Sequence, residues 1–242
     1  MNAFDGATMS PSCFRDAETP LRRAVTVGIS EIALTKGLVL SMSARKLAFC
    51  TGNAGKFATA LEHLAPWGIE IEQVAVELDE IQTTSVEEIA RHKARQAFEL
   101  FRRPLFVEDS GFYIEEFNGW PGPMVKHALD AFGPRGLTHL ADLTATRTCR
   151  FASAVVYVDA EGELHAFADD MRKPGTVAAE ARRGTGERSW SDLWSIFVPE
   201  GAETTLSALP ADEQEHLFSE WRRHSVVSAL GSWLAQSNTL AP

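Results

Sequence analysis

Short apolar runs and amphipathic stretches alternate along the chain, a pattern typical of α/β proteins. In the first half, the runs that predict buried strands lie at residues 46–50, 69–76 and 105–107. Apolar residues recur at helical spacing over 57–64 and again over 86–101, so a helix is predicted after each of the first two strands. Ser85 and Glu88 form a capping box, which marks the start of the second helix.

The second half of the chain continues this pattern. A helix is expected over 130–143, and a β-rich stretch at 148–158 is joined by an Asp-Ala-Glu-Gly turn to 164–167 as a hairpin. The remaining predicted elements are a strand at 175–181, a loop that begins at residue 184 and ends in 196–199, and helices at 211–223 and 225–234. We therefore predict an α/β fold with a central twisted mixed sheet flanked by helices, and two lobes with a cleft between them.

Residues 1–44 differ from the rest of the chain. They mix small, polar and acidic residues without a clear period, and they lack the basic start and apolar core of a signal peptide. We interpret them as a disordered leader or the product of an upstream start codon, with the working domain beginning near Met42. The alternative is an added element that docks on the domain. The predicted domain covers 45–236, and residues 237–242 form a tail.

The composition is that of an ordinary soluble globular protein, with 45% hydrophobic and 23% charged residues among 242. A formal net charge of -10 argues against non-specific nucleic-acid binding, which needs a basic surface, but leaves a nucleotide ligand open. The three cysteines are widely spaced and form no zinc pattern, so we expect reduced thiols and a cytoplasmic protein. None of the apolar runs is long enough to span a membrane.

The strongest chemical signal follows the strand at 105–107. Two carboxylates, Glu108 and Asp109, come directly after it, and Ser110 and Gly111 follow them. Acidic side chains at the end of a buried strand are costly unless a cation or hydrogen bonds compensate them. Carboxylate oxygens in such a place suit Mg2+, which favours one or two carboxylates together with substrate phosphates. An ordinary acidic turn is the alternative that this stretch alone leaves open.

A second signal follows the first strand, where residues 51–56, Thr-Gly-Asn-Ala-Gly-Lys, lead into a helix. Asn53 is a natural N-cap, and free backbone N–H groups at a helix N-terminus favour an anion. Lys56 adds a positive charge in the first helical turn. Many α/β turns carry Gly and Asn, so this motif alone is weak. Lys93 lies on the apolar stripe of the next helix, where it either covers apolar surface or meets a phosphate.

In this order and at these separations, the motifs resemble those of the inosine triphosphate pyrophosphatase family over residues 46–234. The family opens with a strand and Thr-Gly-Asn-x-x-Lys, which matches residues 51–56. Its acidic-Asp-Ser/Thr-Gly motif matches residues 108–111, and its Gly-x-Pro-Gly-x-x-x-Lys motif matches 119–126 with the spacing intact. The family's Glu in the loop before the second helix and its Lys on that helix are matched by Glu80 and Lys93.

The resemblance implies a homodimeric, magnesium-dependent hydrolase that converts aberrant purine nucleoside triphosphates, such as inosine or xanthosine triphosphate, to the monophosphate and pyrophosphate. Glu80 and Asp109 would bind Mg2+, and Asp109 would also accept a proton from the attacking water, supported by Glu108. Lys56 would contribute to catalysis by clamping the phosphates. The implied substrate contacts are Thr51, Gly52, Asn53, Ala54, Gly55, Lys56, Lys93, Ser110, Gly122, Lys126 and Asp192. Gly122 would let the backbone approach the ligand closely.

The C-terminal half departs from the family pattern. Four family residues still fit: Gly184, Gly186, Phe197 and Pro199. The family's Phe-Gly-Trp/Tyr-Asp-Pro is gone, and we assign Asp192 to the position of its Asp. The later Ser-His-Arg is also missing, and the basic residues nearby are Arg222, Arg223 and His224. Because the lost residues read the purine base in the family, we predict a base preference weaker than, or different from, the strict inosine/xanthosine choice.

Two other classes stay open. One is a nucleotide-binding protein that kept the fold and lost turnover, and the other is a pyrophosphohydrolase for a different or modified nucleotide. The complete set of acids and lysines favours an enzyme, whereas the missing Ser-His-Arg favours a different nucleotide. Trp190 and Trp194 are either stacking platforms for a base or ordinary core residues.

Overall fold

The computed structural model describes residues 46–168, 173–184 and 191–237. The predicted leader, Gly186, Trp190 and residues 238–242 of the predicted tail lie outside this part of the chain. Among the described residues, the helices are too short or too polar to cross a membrane.

A mixed sheet forms the centre of the described chain. Its strands are β1 (Leu47–Cys50), β2 (Ile71–Val74), β3 (Leu105–Ile114), β4 (Pro121–Gly122), β5 (Thr148–Val158), β6 (Leu164–Ala168), β7 (Lys173–Val177) and β8 (Phe197–Pro199). They lie in the order β2-β1-β3-β5-β7-β8, with β4 paired to β3 and β6 paired to β5. β1 is parallel to β2 and β3, whereas the other pairs are antiparallel. The predicted α/β fold with a mixed sheet is confirmed.

β3 and β5 form a long two-stranded ribbon that runs through both lobes of the molecule. The first lobe is built on the end of the ribbon at Leu105, and the second lobe is built on the end at Ile114. They pair continuously from Leu105 opposite Val158 to Ile114 opposite Cys149. At the first end of this ribbon the outer neighbours are β1 and β6, and at the second end they are β4 and β7. Two apolar clusters cover the two faces of the first lobe, and a third fills the second lobe.

Helices bury the apolar faces of the sheet. In the first lobe, α1 (Ala54–Leu64) and α5 (Val226–Ser237) pack on one face, and α2 (Val86–Phe101) packs on the other. Side chains alternate across a strand, so neighbouring residues of β1 enter opposite clusters. In the second lobe, α3 (Val125–Ala141) and α4 (Ala211–Arg223) contribute to the apolar cluster.

Some elements differ from their predicted bounds. The interpretation of Glu108 and Asp109 as residues that follow a strand is wrong, because β3 continues through both of them to Ile114 and pairs with β5 throughout. Helix α3 begins at Val125, before the predicted residue 130, and Gly133 interrupts it with a φ of 63°. β7 covers residues 173–177, whereas the prediction was 175–181.

Candidate active site

An open cleft of about 1230 Å³ is lined by residues of both lobes. Its lining contains the turn after β1, the acidic centre of β3 and the start of α3. It also contains α4, the segment before β8 and Lys173 of β7. The predicted motifs from distant parts of the sequence therefore meet along one cavity that is large enough for a nucleotide.

The turn at residues 51–56 has the local structure that its sequence predicts. Asn53 caps α1, because its side chain accepts a hydrogen bond from the Lys56 N–H at 3.0 Å. The Asn53 N–H in turn donates to Thr51 Oγ1 at 3.1 Å. The first backbone bond of the helix runs from Phe57 to Asn53, so the amides of Ala54 and Gly55 precede the helical ladder. Such a helix start attracts an anion.

Lys93 joins two carboxylates on the wall of the cleft. Its ammonium group donates to Glu80 Oε1 at 2.5 Å and to Asp109 Oδ1 at 3.1 Å. The side chains of Lys93 and Asp109 are each 13% exposed, whereas that of Glu80 is 57% exposed. Lys56 approaches from α1 and donates to the backbone carbonyl of Glu108 at 3.3 Å. The inward position of Lys93 is thus explained by these carboxylates.

Burial and charge act differently on the members of this cluster. Burial raises the pKa of Asp109 and outweighs the opposing charges of Lys56 and Lys93. Burial also acts to raise the pKa of Glu80, but the hydrogen bond and charge of Lys93 outweigh it and lower that pKa. The pKa of Lys93 is raised, because its carboxylate partners outweigh its burial. Asp109 is therefore the carboxylate of the pair whose pKa is shifted towards proton acceptance.

The remaining predicted contacts divide into those that reach the cleft and those that do not. Predicted residues that line it are Thr51, Gly52, Asn53, Gly55, Lys56, Glu80, Lys93, Glu108, Asp109, Ser110 and Lys126. Asp192 does not line it; its carboxylate pairs with Arg183, although both of its chain neighbours reach the cleft. Ala54 and Gly122 are also absent from the lining.

Gly122 serves the packing of β4 on β3. Its φ is +56°, a conformation that favours glycine, and its backbone touches that of Gly111 so closely that a Cβ on Gly111 would lie 2.8 Å from the Gly122 carbonyl carbon. Gly122 therefore permits a close approach of β4 to β3. The predicted approach of Gly122 to a ligand is not seen, because Gly122 does not line the cleft.

An aromatic wall of the cleft was not predicted as a unit. The rings of Trp194 and Phe218 are 5.2 Å apart, and those of Phe218 and Trp221 are 5.7 Å apart. All three residues line the cleft, and the Lys173 ammonium lies 5.7 Å from the Trp221 ring centre. The i, i+3 spacing of the two α4 aromatics was the available sequence signal.

Two basic side chains border this aromatic wall. Arg222 pairs with Glu62 at 2.9 Å, and its Nε is buried without a hydrogen-bond partner among the described residues. His63 Nδ1 lies 2.7 Å from the hydroxyl oxygen of Ser225. Burial, followed by the positive charges of Arg222 and Lys173, lowers the pKa of His63 to about 4. This part of the cleft therefore combines aromatic faces with hydrogen-bond donors.

Comparison with known proteins agrees with this geometry. A dITP/XTP pyrophosphatase from Methanopyrus kandleri is 36% identical over 191 residues, which cover 75% of this chain and 98% of the relative. Inosine triphosphate pyrophosphatase 1 from Trypanosoma cruzi is 32% identical over 188 residues, which cover 74% of this chain and 89% of the relative. A HAM1 protein from Coxiella burnetii has a TM-score of 0.64 at 19% sequence identity, and the match covers 79% of this chain and 98% of that protein. At this identity the match shows a likeness of fold alone. Residues 47–224 match the Ham1 family, so the predicted resemblance is confirmed and the chain belongs to that family.

Proposed function

We propose that this chain hydrolyses aberrant purine nucleoside triphosphates, such as inosine and xanthosine triphosphate, to the nucleoside monophosphate and pyrophosphate. The names of its relatives support this activity. The observation that carries it is the Lys93 ammonium group bonded to both Glu80 and Asp109, in one cleft with Lys56 and the capped helix start. This arrangement suits a triphosphate chain, which needs cations and backbone donors along its length.

The carboxylates fit a magnesium ion. Lys93 is bonded to both of them, so this point already attracts a cation, and carboxylate oxygens are the hard ligands that Mg2+ prefers. Among the described residues, His, Cys, Asp and Glu side chains form no group of three or more around a common point. Two carboxylates completed by substrate phosphates are a common arrangement for Mg2+. Held by Glu80 and Asp109, the ion would neutralise charge on the phosphate oxygens.

The chain's own residues supply the remaining functions. Lys56, Lys93 and Lys126 bind the phosphate tail, together with the backbone donors at the start of α1. Asp109 accepts a proton from the water that attacks the α-phosphorus, and Glu108 supports it. The new bond joins the water oxygen to the α-phosphorus, and the bond from that phosphorus to the bridging oxygen breaks. Pyrophosphate leaves with this oxygen.

The aromatic wall of the cleft would hold the base. Trp194, Phe218 and Trp221 offer faces for stacking, and Arg222 and Lys173 are donors. Donors suit the O6 and N7 acceptors of a 6-oxopurine, whereas adenine presents an amino donor at position 6. Guanine shares O6 and N7 with hypoxanthine, so these donors alone would separate inosine from adenosine better than from guanosine.

A panel of nucleoside triphosphates assayed with Mg2+ tests the proposal. Pyrophosphate and orthophosphate are quantified separately for inosine, xanthosine, adenosine, guanosine and pyrimidine substrates. We expect one pyrophosphate per monophosphate and the highest kcat/KM for inosine or xanthosine triphosphate. Nucleotide binding without turnover would support the binding-protein alternative, and a higher kcat/KM for a pyrimidine would support the alternative of a different nucleotide.

We further propose a cytoplasmic homodimer, as the family resemblance implies. The buried free thiols of Cys50 and Cys149 are compatible with a reducing compartment. Light scattering coupled to gel filtration measures the assembly, and a monomeric mass across the working concentration range would contradict the dimer.

A further inference from the structure

The loop that carries Glu80 is packed on the core by Val76 and Leu78, which precede the acidic pair of Asp79 and Glu80. It has no regular secondary structure between the end of β2 at Val74 and the N-cap of α2 at Ser85. Asp79 and Glu80 are both exposed, and the Glu80 side chain is 57% exposed. A metal ligand on such a segment needs an external contact to fix its position, because loops are more mobile than helices and strands.

Gln96 of α2 provides that contact. Its Oε1 accepts a hydrogen bond from the Asp79 N–H at 3.0 Å, and its Nε2 donates to the Asp79 carbonyl at 2.9 Å. One side-chain amide thus binds both backbone groups of the residue that precedes Glu80. Lys93 lies three residues earlier on the same helix face and binds the Glu80 carboxylate. Helix α2 therefore holds the loop at two successive residues.

The two contacts respond differently to a bound cation. Lys93 binds the same carboxylates that are proposed to hold Mg2+, so the ammonium group and the metal compete for these oxygens. Gln96 binds backbone alone, and its two hydrogen bonds can persist when the metal arrives. The Tyr113 hydroxyl also donates to this loop at 3.3 Å, but it does so at Thr84, four residues beyond Glu80.

We propose that Gln96 is a positioning residue that fixes Glu80 for metal binding through the backbone of Asp79. This inference rests on the proposed role of Glu80 as a magnesium ligand. Polar partners outside the ligand set orient metal ligands in many proteins, and their removal typically weakens metal binding about 10–100-fold. We expect an effect in this range for Gln96.

The test compares Gln96→Met with Gln214→Met in the full chain. Methionine keeps the length and helix propensity of glutamine but makes neither hydrogen bond. Gln214 is the matched control, because its amide on α4 also binds loop backbone, at the carbonyls of Leu206 and Leu209, and does not line the cleft. Mn2+ binding without nucleotide is measured by electron paramagnetic resonance, and amide hydrogen exchange is followed over residues 77–82.

Gln96→Met should weaken Mn2+ binding about 10–100-fold and speed hydrogen exchange over residues 77–82, with exchange in α2 unchanged. The Mg2+ concentration for half-maximal pyrophosphate release should rise by a similar factor, with a smaller change in kcat at saturating Mg2+. Gln214→Met should match the unsubstituted protein in Mn2+ binding, in hydrogen exchange over residues 77–82 and in the Mg2+ concentration for half-maximal pyrophosphate release.

Unchanged Mn2+ binding and unchanged hydrogen exchange in Gln96→Met, or no Mn2+ binding by the unsubstituted protein, would overturn the inference. If that protein binds Mn2+ but releases no pyrophosphate, the proposed function fails and the Mn2+ comparison still decides the role of Gln96.

Discussion

His63 links the stability of this fold to pH. It lies in the last turn of α1, with Nδ1 2.7 Å from the hydroxyl oxygen of Ser225 just before α5. Burial, reinforced by the charges of Arg222 and Lys173, lowers its pKa from 6.5 to about 4. Between these two values the unfolded chain binds a proton at His63 that the folded chain does not bind, so acid favours unfolding.

The size of the effect follows from the shift. Stability due to the neutral His63 is fully present above pH 6.5 and is lost as the pH falls towards 4. The complete loss is at most about 3 kcal/mol, and about 2 kcal/mol of it is lost by roughly pH 5. His63→Asn removes the titration and keeps a polar atom near the position of Nδ1, so its stability should fall less in acid.

Urea unfolding at about pH 7.5 and pH 5 measures this difference. We expect the unsubstituted protein to lose about 2 kcal/mol more than His63→Asn between these pH values. His216→Asn, at an exposed histidine on α4, controls for the loss of an imidazole and should behave like the unsubstituted protein. Equal losses in the unsubstituted protein and His63→Asn would refute the reasoning.

Three further predictions concern the cleft and the packing of β4 on β3. Asp109→Asn should keep the fold but lower kcat about 10²–10⁴-fold, because it removes the proposed base and a magnesium ligand; a near-normal kcat at saturating Mg2+ would exclude the role as base, and an unchanged Mg2+ requirement would exclude the role as ligand. Gly111→Ala should cost about 1–3 kcal/mol, measured by urea unfolding, because its Cβ would meet the Gly122 backbone at 2.8 Å; an unchanged midpoint would contradict this packing. Arg222→Gln should lower the inosine-to-adenosine ratio of kcat/KM about tenfold, and an unchanged ratio would argue against base contact by Arg222.

The phosphate half of the candidate site could be predicted because local sequence determines its structure. Asn53 caps α1 and Ser85 caps α2, and both are determined by residues within one turn. The position of Lys93 on an apolar stripe indicated an inward partner, and the structure supplies Glu80 and Asp109. Naming Glu80 from the sequence still required the family resemblance, because it comes from a loop that has no periodic pattern.

The continuation of β3 through its acids could not be predicted from local pattern. Charged residues after 105–107 indicate the end of a buried strand, yet β5 pairs with Glu108 and Asp109, and both residues line the cleft. The aromatic wall is a similar case, because Trp194 and Phe218 come from separate elements. Their proximity results from tertiary packing, to which periodicity in either segment gives no guide.

The position of bond cleavage tests the central proposal most directly. Inosine triphosphate is hydrolysed with Mg2+ in water enriched in oxygen-18, and the oxygen-18 content of each product is measured by mass spectrometry. We predict one oxygen-18 atom in the inosine monophosphate and none in the pyrophosphate, because water attacks the α-phosphorus. Label in pyrophosphate or orthophosphate, or release of inosine diphosphate, would contradict a nucleoside triphosphate pyrophosphatase.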